Sequence, residues 1–128
     1  MKRKGFTLIE LIVVVTFFAV LFIVFFVQKA NVDAMTRDDQ RKIAINAMHY
    51  SLEEDFYVKN GYYPEVINEN VLKSMDPELF TDPDGLNLGN TGSSYSYTPA
   101  NCKDGKCKEY TLRATLEKED IYIRRNRN

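Results

Sequence analysis

At 128 residues the chain has room for one compact domain and little beyond it. Its 17 Lys and Arg are balanced by 18 Asp and Glu, which excludes the strongly basic field of a general nucleic-acid binder. One His, no nucleophile elbow, no phosphate-binding glycine loop and no Cys pair placed for redox turnover leave no catalytic constellation, so neither an enzyme nor a cofactor is expected.

The hydrophobic residues are not spread evenly. Leu11 to Val27 contains no charged residue, and Thr16 is its only polar member. Counted from Phe6, the greasy stretch is 22 residues long and is interrupted only by Glu10. As a helix it measures roughly 33 Å, enough to cross a bilayer. Lys2, Arg3 and Lys4 stand before it and hold that end on the cytoplasmic side, so the C-terminal part faces outward. A secretory signal peptide has a similar outline, with Val32-Asp33-Ala34 as a passable cleavage site. The length of the apolar run argues against it, and Glu10 argues more strongly. A carboxylate at that depth costs about 2.5–3.5 kcal/mol, which a mere anchor or export signal has no reason to keep.

Gly5-Phe6-Thr7-Leu8-Ile9-Glu10 resembles the processing motif of type IV pilins and the pseudopilins of type II secretion. The shared pattern is a short basic leader, a Gly, an aromatic residue, and a Glu at the fifth place after the Gly. The resemblance implies an α+β, type IV pilin-like fold, with a long N-terminal helical spine packed on a small antiparallel sheet. It implies that residues 1–5 are a leader removed by a prepilin peptidase. Cleavage falls between Gly5 and Phe6, and Phe6 becomes the N-methylated first residue. Residues 6–27 then form the transmembrane and filament-core helix. Glu10 sets assembly register by meeting the Phe6 amine of a neighbouring copy. The implied partners are the membrane before assembly, copies of the chain itself, minor pilins, and an assembly platform protein with its ATPase. Loss of the leader leaves 14 cations against 18 acids, a net charge of −4 that argues against nucleic acid as a partner.

Residues 28–58 are expected to continue the helix as its amphipathic half. There is no Gly between Gly5 and Gly61 and no Pro before Pro64. Ile45, Met48, Leu52 and Phe56 follow helical spacing, with Glu53, Glu54 and Asp55 beside them, so the stripe is expected to pack on a sheet. Many pilins carry a helix-bending Pro where Val27 stands and a Gly where Ala19 stands. Here the spine is expected to stay helical through both.

Residues 59–92 read as the segment connecting helix to sheet. Gly61-Tyr62-Tyr63-Pro64 ends the helix, helical turns are expected around Val71, Leu72 and Met75, and Asp82-Pro83-Asp84-Gly85 is a turn. Asp82, Asp84, Asn87 and Asn90 are calcium candidates, but the loop lacks the EF-hand glycine and closing Glu, and turn formation accounts for them. Residues 93–128 read as the sheet. Tyr95 and Tyr97 alternate with serines, Tyr110, Leu112, Ala114 and Leu116 with polar residues, and Ile121 and Ile123 with Tyr122, as in an antiparallel meander. Cys102 and Cys107 flank an Asp-Gly turn at a spacing that suits a disulfide closing the first hairpin in an oxidising compartment. Zinc would need two further ligands, and His49 is far off on the helix. Arg124, Arg125 and Arg127 read as a frayed basic tail.

The resemblance leaves two filament roles open: a type IV pilus for adhesion, surface contact or motility, and a pseudopilus of type II secretion or DNA uptake. Either is membrane-anchored by a single pass before assembly, and the pilus subunit is extracellular afterwards. A third reading, of a different class, is a membrane-anchored or secreted binding module.

Overall fold

The computed structural model describes residues 5–128, so most of the expected leader, residues 1–4, lies outside the described residues. The chain divides into two compact units, Met1–Ala34 and Met35–Asn128. Helix α1, Leu8–Tyr50, begins in the first and ends in the second.

In the first unit, α1 passes through Ala19 and Val27 without interruption, as the absence of Gly and Pro at those places predicts. Its side chains from Phe6 to Val27 are all exposed, Val14 least at 39 %. Phe17 and Phe18 meet edge to face, as do Phe25 and Phe26. The one polar side chain within the run, Thr16, donates its hydroxyl to the Ile12 carbonyl at 2.8 Å and so presents no unmet donor to apolar surroundings.

In the second unit the helix packs on a four-stranded antiparallel sheet: β1 Tyr63–Pro64, β2 Tyr95–Lys103, β3 Lys106–Ala114 and β4 Tyr122–Arg125. Strand β3 is central. It pairs along its length with β2, and on its other edge with β1 near Cys107 and with β4 from Thr111 to Ala114. The meander β2-β3-β4 is as expected. Strand β1 is an addition: two residues, one a Pro, carry no period-two signal. The core is Ala44, Ile45, Met48 and Leu52 from the helix against Tyr95, Tyr110, Leu112 and Ala114 from the sheet, closed by Tyr63, Ile67, Leu72 and Phe80.

Three details refine the sequence reading. After Tyr50 the helix widens into a π-helical turn, Ser51–Phe56, before a last α turn, α2, Tyr57–Asn60. Ser51, Leu52 and Glu53 are all buried in this turn, while Phe56 is only partly buried. The helical turns expected around Val71, Leu72 and Met75 are single turns, closed by Leu72 N–H to the Asn68 carbonyl at 3.0 Å and Met75 N–H to the Leu72 carbonyl at 3.5 Å. A regular 3₁₀ turn follows only at Pro77–Phe80, capped by Asp76, whose side chain accepts from the Glu78 N–H at 3.0 Å. Ile121, just before β4, and Ile123 within it are both exposed. Tyr122 packs on the core, pairs with Ala114 and donates its hydroxyl to Asn46 at 3.0 Å, which sets the face of the strand.

The helix ends at Gly61, whose φ of 75° is the left-handed cap that returns an N–H to the Tyr57 carbonyl at 2.7 Å. The β2–β3 hairpin turns on Asp104 and Gly105, both at positive φ, the geometry that matches the twist of the flanking strands. Shortening a core side chain of the central strand checks this packing. Leu112→Ala is expected to lower stability by about 2–5 kcal/mol, read as the urea unfolding midpoint by tyrosine fluorescence.

Candidate processing and assembly site

The first candidate site is the start of α1. Thr7 is its N-cap: the Thr7 Oγ1 accepts from the Glu10 N–H at 3.3 Å, and the Thr7 carbonyl accepts from the Leu11 N–H at 3.1 Å. Thr7-Leu8-Ile9-Glu10 thus has the spacing of a capping box, with Glu10 at the third helical position, where a carboxylate also suits the helix dipole. Phe6 and Leu11 occupy the two positions of a hydrophobic staple. Gly5 and Phe6 lie just before the helix in exposed chain without regular secondary structure, and among the described residues no atom crowds the place of a Gly5 side chain. The spacing Thr-x-x-Glu was the available signal for this cap. The Glu10 carboxylate itself meets no partner among the described residues.

The second candidate is the hairpin. Cys102 and Cys107 are directly paired across β2 and β3 and joined by a disulfide. Cys107 is buried on the same side as Tyr110, Leu112 and Ala114, although strict alternation would turn it the other way. On β2, Asn101 takes a φ of 54° between the paired positions Ala100 and Cys102.

The third is the loop of calcium candidates. Asp82 Oδ1 accepts from the N–H groups of Asp84 and Leu86 at 3.0 and 2.9 Å, and Oδ2 from the N–H of Ser94 at 2.8 Å. Burial works to raise the Asp82 pKa, and these three donors outweigh it, so it lies below the usual carboxylate range. Asp84 Oδ2 faces the Arg41 guanidinium at 3.0 Å, and Asn87 Oδ1 accepts from the Thr81 hydroxyl at 2.6 Å. These oxygens fold the loop. Among the described residues no group of three or more His, Cys, Asp or Glu converges.

Two buried polar clusters had no counterpart in the sequence reading. In one, Asp38 accepts from the N–H groups of Glu117 and Lys118, each at 2.8 Å, and from Arg41 at 2.9 Å. Arg41, with 3 % of its side chain exposed, also reaches Glu117 at 2.9 Å. Arg37 grips the same Glu117 with two bonds of 2.7 Å, which hold its carboxyl down at about 2. In the other, Glu53 Oε1 accepts from the hydroxyls of Tyr110 and Tyr63 at 2.8 and 3.2 Å and from the Arg127 N–H at 3.1 Å. Its Oε2 accepts from Asn128 at 3.3 Å, while the Arg127 side chain reaches Glu54 at 2.6 Å. The C-terminal tail is therefore docked rather than frayed. Tyr110 has one hydroxyl proton, and the carboxylate takes it. His49 Nδ1, 2.7 Å from the same oxygen, then carries the hydrogen and donates. Burial, followed by the hydrogen bond to Glu53, pushes the Tyr110 pKa upward.

Residues 1–26 match the family model of the prokaryotic N-terminal methylation motif, the signature of type IV pilins and pseudopilins. No curated protein and no solved structure matches the chain. The precursor that the motif describes is membrane-anchored through an apolar N-terminal helix, and α1 has that character.

The match stops short of the buried clusters, whose chemistry is open to a direct check. Burial holds the His49 pKa below 6.5, with Glu53 opposing and Arg127 and Arg124 assisting. A base depressed in the folded state stabilises fully above its unfolded value and loses that stability as pH falls toward its folded value. The melting temperature is expected to drop between pH 7.5 and 5.5, a change set by the ordinary His value of about 6.5. His49→Asn, which keeps an N–H donor for Tyr110, is expected to flatten that step. A step of unchanged size in the variant would assign it to other groups.

Proposed function

We propose that the chain is the precursor of a filament subunit, a type IV pilin cleaved between Gly5 and Phe6, N-methylated at Phe6 and polymerised through residues 6–27. The observation that carries this reading is a coincidence: the methylation motif begins a fully exposed apolar helix that leads into a folded α+β unit. An apolar surface of that extent must be covered. A bilayer covers it first, and copies of the same helix cover it in a fibre. Prepilin peptidase, the assembly platform and its ATPase are the partners this route requires. The stapled hairpin fits a unit exported to oxidising surroundings, which the outside of the cell and the envelope both provide.

Glu10 is the assembly residue in this reading. Cleavage frees a cationic amine at Phe6, one helical turn from Glu10, and in a staggered bundle the carboxylate of one copy meets the amine of the next. In a medium of low dielectric a missed pairing is strongly penalised, so the pair fixes axial register more than it adds stability.

Mass spectrometry of the mature chain is expected to find methyl-Phe6 at its N-terminus, and Gly5→Val is expected to leave the leader attached. A mature chain starting at Asn31 or Met35 would instead mark a secreted domain. Glu10→Ala is expected to yield an inserted, cleaved and folded subunit that forms no fibres as sole subunit by electron microscopy. Normal fibres from that variant would remove Glu10 from the assembly role.

A further inference from the structure

We propose that a groove in the connecting segment, between residues 67–70 and 77–90, binds a neutral sugar. The groove has a volume of about 430 Å³, within the usual range for small-molecule sites. Four amides line it: Asn68, Asn70, Asn87 and Asn90. Pro77 and the partly buried Leu88 supply its apolar side above the buried Ile67 and Phe80, Glu69 is its only charged residue, and no Lys or Arg lines it.

The amides exceed what folding needs. Asn68 uses its Oδ1 to accept from the N–H groups of Asn70 and Val71 at 2.9 and 3.1 Å. Asn87 uses its Oδ1 for Thr81, beside the bridge that joins Thr81 to Asn87. Their oxygens are thus held in place, and their NH₂ groups have no acceptor among the described residues. The side chains of Asn70 and Asn90 make no hydrogen bond at all among the described residues. The groove therefore offers four NH₂ donors, two amide oxygens and one carboxylate around an apolar patch.

That set selects its ligand by chemistry. Phosphate or another anion finds no cation here and meets Glu69 instead. A purely apolar ligand would strip water from the amides without replacing its hydrogen bonds. A pyranose carries neighbouring hydroxyls, each both donor and acceptor, and a C–H face for the apolar patch. The carboxylate of Glu69 is suited to accept from a hydroxyl pair. The inference stands apart from the filament reading, because the groove lies within the second unit and is complete in a single chain.

The test is a titration of the ¹⁵N-labelled full chain in phosphocholine micelles, a detergent without a sugar headgroup. Lactose, maltose and N,N′-diacetylchitobiose are the probes, with tetra-alanine and inorganic phosphate in parallel. Saturable shifts of the Asn side-chain NH₂ signals of the groove are expected with at least one sugar, at millimolar concentration, and not with peptide or phosphate. The double variant Asn70→Ala, Asn90→Ala is expected to lose them while its remaining spectrum is unchanged. Asn70→Asp, which keeps the volume and removes a donor, is expected to weaken binding at least severalfold. No saturable shift with any of the three sugars would overturn the proposal. So would an equal response to tetra-alanine or phosphate, or sugar shifts that survive in the variants.

Discussion

Glu53 lies where the helix, the central strand and the C-terminus converge, and a carboxylate buried there cannot be left unmet. Leaving a charge of this kind unpaired in an interior costs several kcal/mol. The fold answers with two tyrosine hydroxyls, a backbone N–H and an amide, drawn from positions 63, 110, 127 and 128. The donors come from three parts of the unit, so the single acceptor fixes the helix against β1, β3 and the tail together. The π-helical turn follows from the same constraint. An ideal α-helix sets neighbours about 100° apart; the wider turn narrows that angle, and Leu52 and Glu53 are both buried within it.

A second clamp acts one helical stretch earlier. Asp38 takes the N–H groups of the β3–β4 connection, and Arg41 ties that connection to the turn at Asp84. Burial works to raise the Asp38 pKa, but the backbone donors and Arg41 outweigh it and hold it low. The connection has little apolar content of its own, so charge-assisted hydrogen bonds to the helix stand in for a core there. With both clamps in place, the long segment from Val66 to Ser94 is held at its two ends and at Asp82, and the groove within it is shaped by short-range turns rather than by the sheet.

How much of this was readable in the sequence follows from the range of each interaction. The processing motif, the apolar run, the period of Tyr110, Leu112 and Ala114, and the Asp-Gly hairpin are local patterns, and each lies where it was read. The inward turn of Glu53 is not local. A π-turn inserts a residue into the helical period, and nothing in Ser51–Phe56 marks the place, because the cause is a set of donors that lie up to 75 residues away. The same distance hides the docking of Arg127 and Asn128. Strand β1 is too short to have a period, and Pro64 cannot donate to the ladder. At Ile121-Tyr122-Ile123 the alternation alone does not say which side faces in; the ring of Tyr122 packs on the core and its hydroxyl meets Asn46 on the helix, while both isoleucines are exposed.

The helix carries three carboxylates in apolar or buried surroundings, and they are treated differently. Asp38 and Glu53 are each met several times over within the chain. Glu10 is met by nothing among the described residues, although it begins the most apolar stretch of the sequence. A carboxylate at the start of a helix gains from the dipole, but by about 0.3–1 kcal/mol, less than its cost of about 2.5–3.5 kcal/mol in hydrocarbon. In the proposed filament the remainder is recovered from the Phe6 amine of a neighbouring copy, since a cationic partner recovers most in a dry environment. The second unit meets its buried carboxylates with donors of its own. The exposed stretch of α1 leaves the Glu10 carboxylate without a partner among the described residues, and the proposed packing of copies would supply one.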